Sequence, residues 1–68
     1  MEDLEIKKLL TAEEVIEILN IKKSTFYSLV HRKELPAMRI GGSIRVDPTD
    51  LLAYLNKKKE HYQIQLSA

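Results

Sequence analysis

The chain has 68 residues, with 11 Lys and Arg against 10 Asp and Glu, a formal net charge of +1, two histidines and no cysteine. That length holds one small domain, which buries only about 60% of the surface its unfolded chain exposes. The composition excludes disulfides and thiolate-held zinc, and His31 and His61 are too few and too far apart for a structural metal site; no apolar run reaches membrane-spanning length.

Near-zero net charge argues for no partner by itself, so its distribution decides. Glu2, Asp3, Glu5, Glu13, Glu14 and Glu17 concentrate acid in the first third, whereas cations outnumber the single carboxylate Glu34 between Lys22 and Arg45. Residues 1–8 show neither a cap nor a clear period, and their acidic start lacks a signal-peptide pattern. A flexible arm is expected there, and a cytoplasmic chain, nucleoid-associated in a prokaryote.

The first helix is expected over about 12–19. Thr11 stands at its N-cap, Glu14 closes a capping box, and Leu10 and Val15 are placed for the hydrophobic staple. Ala12, Val15, Ile18 and Leu19 give its apolar face, with Glu13, Glu14 and Glu17 outside, where they would repel phosphate. Asn20 tolerates the left-handed turn that ends such a helix. A second helix follows within two or three residues, the spacing of a helix-turn-helix.

That second helix, about 23–32, is the centre of the chain. Phe26, Leu29 and Val30 form its apolar face; Ser24, Tyr27, Ser28 and His31 form a second stripe, flanked by Thr25 and Arg32 and free of carboxylates. Its start is open to two readings: Ser24 is a good cap, and Lys22 a poor one if the helix begins earlier. Hydroxyls framed by cations suit phosphates and base edges, although a plain surface helix is the rival reading.

Pro36 ends the helical region. Met38, Ile40, Ile44 and Val46 then share one parity and Arg39 and Arg45 the other, with Gly41-Gly42 as a tight turn. The expectation is a two-stranded ribbon, about 37–40 and 44–46, apolar inside with both arginines outside. Asp47-Pro48-Thr49-Asp50 opens a third helix, about 48–59: Asp47 caps, Pro48 takes the first turn, and Val46 and Leu51 form a staple. Leu51, Leu52, Tyr54 and Leu55 are available to the core. Lys57, Lys58 and Lys59 fall in its last turn, where either the helix dipole or the flank of a nucleic acid accounts for them. Residues 60–68 alternate weakly at Tyr62, Ile64 and Leu66 and are expected as a second flexible arm, with folding back on the core or pairing with a partner as the alternatives.

Leu10-Thr11-Ala12-Glu13-Glu14-Val15, Ser24-Thr25-Phe26-Tyr27, Glu34-Leu35-Pro36-Ala37 with Arg39-Ile40-Gly41-Gly42, and Ile44-Arg45-Val46 with Asp50-Leu51-Leu52-Ala53-Tyr54-Leu55 together resemble the excisionase-type helix-turn-helix domain. This is a small α+β winged-helix module related to the DNA-binding domains of MerR-type regulators. The resemblance covers about residues 9–56, and a single domain over 9–59 is expected. It implies either an excisionase, which bends double-stranded DNA to direct a site-specific recombinase, or an AlpA-like transcriptional regulator. It also implies that the helix with Ser24, Thr25, Tyr27 and Ser28 enters the major groove, while Gly41-Gly42-Ser43 with Arg39 and Arg45 forms a wing over the backbone or minor groove. The chain departs from the family pattern at Lys22, commonly Ser, and at Asn20 and Lys33, both commonly Gly. A left-handed Lys33 would cost about 1 kcal/mol that glycine avoids.

The candidate DNA contacts are therefore Lys22, Lys23, Ser24, Thr25, Tyr27, Ser28, Arg32, Arg39, Gly41, Gly42, Ser43 and Arg45. Ser24, Ser28 and Arg45 are expected to share one surface. Tyr27 either bonds a phosphate or lies over the core, and edge arginines also serve solubility. Arg45→Ala is expected to weaken binding with the fold intact. Neutralising about five phosphates would give a log–log salt slope of about −4.5. One module covers few base pairs, so copies on adjacent sites or a partner protein are expected. His31 lacks the neighbours of a catalytic base, and the chain has no nucleophile–base pair, phosphate loop or metal cluster, so no enzyme, cofactor or small-molecule ligand is expected. The rival class is a protein-interaction module on the same frame, with Tyr62, Ile64 and Leu66 as an apolar patch.

Overall fold

The structure, a computed structural model, describes residues 8–67, with side chains to Glu60. In chain order it contains β1 (Leu10–Thr11), α1 (Ala12–Leu19), α2 (Lys23–His31), β2 (Met38–Ile40), β3 (Ser43–Val46) and α3 (Pro48–Ser67). Three helices and a hairpin wing make the expected α+β winged helix-turn-helix. The arm expected over 1–8 lies outside the described residues except for Lys8, as does Ala68.

Local chemistry sets the helix starts. Thr11 Oγ1 accepts from Glu14 N–H at 3.1 Å and Glu14 Oε1 accepts from Thr11 N–H at 2.8 Å, closing the capping box. At α3, Asp47 Oδ1 accepts from Thr49 N–H at 2.8 Å, ahead of Pro48 in the first turn. Lys22 precedes α2 with no side-chain cap, and Ser24 lies inside the helix, which decides the open question of its start.

Both helix ends of the helix-turn-helix close through a left-handed residue. After α1, Asn20 has φ 55°, Ile21 N–H donates to Ile16 C=O and Asn20 N–H to Glu17 C=O, each at 3.2 Å. After α2, Lys33 has φ 63°, Glu34 N–H donates to Leu29 C=O and Lys33 N–H to Val30 C=O, each at 3.0 Å. These crossed bonds satisfy carbonyls that the helix itself leaves open. Lys33 thus takes the strained conformation that its departure from glycine implied.

The core consists of Ala12, Val15, Phe26, Leu29, Leu35, Val46 and Leu51, with Leu10, Ile16, Leu19, Ile21, Val30, Ala37, Ile44 and Tyr54 packed against it. Contrary to expectation, Ile18 is 54% exposed, and Ile16 takes its place. Ala12, Val15, Ile16 and Leu19 follow the i, i+3, i+4, i+7 arc, from which Ile18 is displaced by about a third of a turn. Leu52 and Leu55 also stay exposed, leaving Leu51 and Tyr54 to anchor α3.

The sheet has three strands, not two, in the order β1-β3-β2 and antiparallel throughout. Its added strand is β1, which pairs Leu10 with Val46 and Thr11 with Arg45. In the hairpin, Met38 faces Arg45, Arg39 faces Ile44 and Ile40 faces Ser43. Residues directly opposite each other share a sheet face. The expected apolar-inside ribbon is therefore wrong in one strand. Ile44 and Val46 face the core with Arg39 on their side, while Met38 (39% exposed) and Ile40 (52%) leave by the other face with Arg45.

Finally, α3 runs to Ser67 instead of ending near 59. No Gly or Pro follows Lys59 to break it. The tail expected as a flexible arm is helical through Ser67, and Lys57, Lys58 and Lys59 lie in mid-helix.

Candidate nucleic-acid interface

The outward side of α2 is positioned by what its inward side buries. Phe26 and Leu29 are in the core, which turns Ser24, Tyr27, Ser28 and His31 away from it. Opposite them stands the wing, whose two-residue tip holds Gly41 at φ +57° and Gly42 at φ +88°. Positive φ at both positions fits the primed hairpin turn and favours glycine at each. The requirement is conformational, since an added Cβ would meet nothing within 4 Å.

Between α2 and the wing lies an open cleft. Ser24, Tyr27, Ser28, Val30 and His31 line it from the helix, and Arg39, Gly42 and Ile44 from the wing. No carboxylate is among them. The serines, His31 and Arg39 are exposed, so their polar groups meet solvent at no burial cost. The Tyr27 ring lies against the core, meeting Phe26 edge to face at 5.1 Å and 77°, and the residue also lines the cleft.

Arg39 and Arg45, expected together, stand apart. Arg39 is on the core-side face of the hairpin but close enough to its tip to clear the core and enter the cleft. Arg45 is half-buried on the other face, opposite Thr11, and its Nη1 donates to Ile44 C=O at 3.1 Å. It also lies in the electrostatic surroundings of Glu14. The Thr11 backbone N–H bond holds the Glu14 carboxyl below the usual carboxylate range; burial opposes this, and Lys8, the Thr11 hydroxyl and Arg45 add to it. The shared surface expected for Ser24, Ser28 and Arg45 is thus corrected to one of Ser24, Ser28 and Arg39.

The other candidates lie around the cleft. Lys22, Lys23 and Thr25 are exposed near the start of α2, Gly41 and Ser43 are exposed at the wing tip, and Arg32 pairs with Glu34 at 3.6 Å. His31 belongs to the cleft but was not among the sequence candidates. The signal was present: it sits three residues after Ser28 and four after Tyr27, on the same helical stripe.

A helix-turn-helix whose second helix faces a glycine-tipped wing across an acid-free cleft defines a winged helix-turn-helix protein. The family model described as "Helix-turn-helix domain" matches residues 9–59, and the chain belongs to that family, the excisionase- and AlpA-type winged helix-turn-helix DNA-binding domains. By family the domain is a DNA-binding module and not an enzyme. A Mycobacterium tuberculosis protein provisionally named as DNA-binding, Rv0500A, is 51% identical over 39 residues, 57% of this chain and 50% of that protein. Its counterpart from a second strain, MT0521, gives the same figures. The Bacillus subtilis protein YvgK, whose name states no activity, is 46% identical over 44 residues, 65% of this chain and 14% of that protein. The chain spans half or less of the length of these relatives. No solved structure matches it. Among the described residues no helix is long and apolar enough to cross a membrane.

Proposed function

We propose that the domain reads double-stranded DNA by laying α2 in the major groove and the wing over the adjacent backbone or minor groove. The observation that carries this is the acid-free cleft in which the polar stripe of α2 meets Arg39. Ser24, Ser28 and Thr25 bond base edges or phosphates, and Tyr27 and His31 contact the backbone deeper along the helix. Lys22 and Lys23 add positive charge at the uncapped start of α2, where free N–H groups already favour phosphate. Arg39 offers a planar fork suited to two phosphate oxygens or to guanine. Gly41, Gly42 and Ser43 keep the tip small, and Arg32, whose guanidinium has donors to spare beyond its exposed pairing with Glu34, reaches a phosphate.

Within this reading the protein is an architectural factor of excisionase type. One such surface covers few base pairs, so copies filling adjacent sites, with a site-specific recombinase beside them, supply the specificity it lacks alone. Promoter regulation of AlpA type would use the same contacts at different loci. Titration of a duplex at several salt concentrations tests the DNA reading: a slope of about −4.5 is expected, and an affinity indifferent to salt would overturn it. Footprinting across the native locus tests the role. Protection at a recombination end supports the architectural reading, and protection confined to a promoter replaces it with regulation.

A further inference from the structure

A second basic surface lies outside the cleft. Lys33, just past α2, and Lys57 and Lys58, in mid-α3, line one notch with Tyr54 and Glu34. The dipole of α3 does not account for the two helix lysines, because the helix continues about two turns beyond them. Lys33 sits at φ 63°, where glycine would be the less strained residue, and its side chain is exposed. Strain of this kind, kept at an exposed cation, points to use of the charge.

The charges in the notch are also unspent. Glu34, the one acid lining it, pairs with Arg32 at 3.6 Å. Lys58 Nζ lies 5.7 Å from the centroid of the Tyr54 ring, which steers the ammonium without neutralising it. Among the described residues no carboxylate pairs with Lys33, Lys57 or Lys58. The notch is joined to the reading cleft as well. A further depression, lined also by Leu35, Pro36 and Ala37, shares Val30 with the cleft and Lys33 with the notch.

We propose that this notch is a second phosphate site, holding the backbone of the same duplex on the flank of the groove that α2 reads. The inference rests on the DNA reading above. Lysine ammoniums act as point charges that meet phosphate oxygens without fixed geometry, which suits a contact that carries affinity and no sequence preference.

The test uses the full chain and a mixed-sequence duplex of about two helical turns. Lys57→Ala with Lys58→Ala is compared with the single variant Lys59→Ala, an adjacent lysine that does not line the notch. The double variant should make the salt slope shallower than that of the wild type by about 1.8, the share of two phosphates, and lower affinity about tenfold. Lys59→Ala should leave the slope unchanged, and thermal melts should be the same for all three proteins. A double variant that keeps the wild-type slope overturns the notch and leaves the DNA reading standing. So does Lys59→Ala making the slope shallower by about 0.9, half the change expected of the double variant. Wild-type protein without salt-dependent duplex binding overturns both.

Discussion

Met38 and Arg45 are Cα partners across the β2–β3 ladder, so their side chains leave the same face of the hairpin. A two-residue tip at Gly41-Gly42 forces this, because partners on either side of it always differ in parity. Arg39 is thereby separated from Arg45 and turned toward α2.

The first prediction follows from that separation. Arg39→Ala should weaken duplex binding about tenfold, or about 1.4 kcal/mol, with no change in melting temperature. Arg45→Ala should do the reverse. It removes a half-buried stem beside Thr11 and Glu14, lowering stability by about 0.5–1 kcal/mol with little effect on affinity. Paired gel-shift titrations and thermal melts separate the two, and a larger binding loss for Arg45→Ala would return that arginine to the interface.

How far the sequence reveals this structure depends on the range of each interaction. The caps at Thr11 and Asp47, the left-handed turns and the stripe Ser24–Tyr27–Ser28–His31 involve residues within about four positions of each other, and all can be read directly. Parity across the wing was equally present in Gly41-Gly42, but alternation counted straight through the turn assigns Met38 and Ile40 to the wrong face. β1 could not be read: two residues carry no period, and Leu10 had a sufficient local role in the staple. Leu35 reads as a helix terminator beside Pro36, and only tertiary packing shows it fully buried.

Lys33→Gly should stabilise the domain. The residue sits at φ 63° directly after α2, and glycine removes the Cβ clash, worth about 1 kcal/mol or about 4–8 °C in a domain of this size. Its affinity for duplex should fall, since the change also removes a cation of the notch. Thermal melts and titrations on one preparation would show stability and binding moving in opposite directions. A variant less stable than the parent would mean that the Lys33 side chain contributes packing that the structure does not give it.

The capping box should make stability depend on acid pH. Glu14 has its folded-state pKa lowered by the Thr11 N–H bond, so its contribution is complete above the usual carboxylate range and is lost as pH falls through the lowered value. Glu14→Gln retains an acceptor for Thr11 N–H but does not titrate, and its melting temperature should fall less steeply than wild type on acidification. Thr11→Ala should cost about 1 kcal/mol at neutral pH. Parallel acid limbs for wild type and Glu14→Gln would exclude this carboxylate as the source.

Leu35 and Ile18 offer a final contrast between two aliphatic residues of similar size. Leu35 is 0% exposed in a core shared with Phe26 and Val46, while Ile18 is 54% exposed on α1. Leu35→Ala leaves a cavity that neighbouring elements cannot refill, at a cost of about 2–5 kcal/mol. A domain this small has only about 3–10 kcal/mol in total, so much of the population should unfold at physiological temperature. Ile18→Ala should change stability by no more than about 0.5 kcal/mol. DNA binding by Leu35→Ala should recover on cooling toward the temperature of maximum stability, because the reading surface is disassembled and not chemically altered. Denaturant titrations of both variants check the packing directly: Ile18→Ala costing more than Leu35→Ala would require α1 to present a different face to the core.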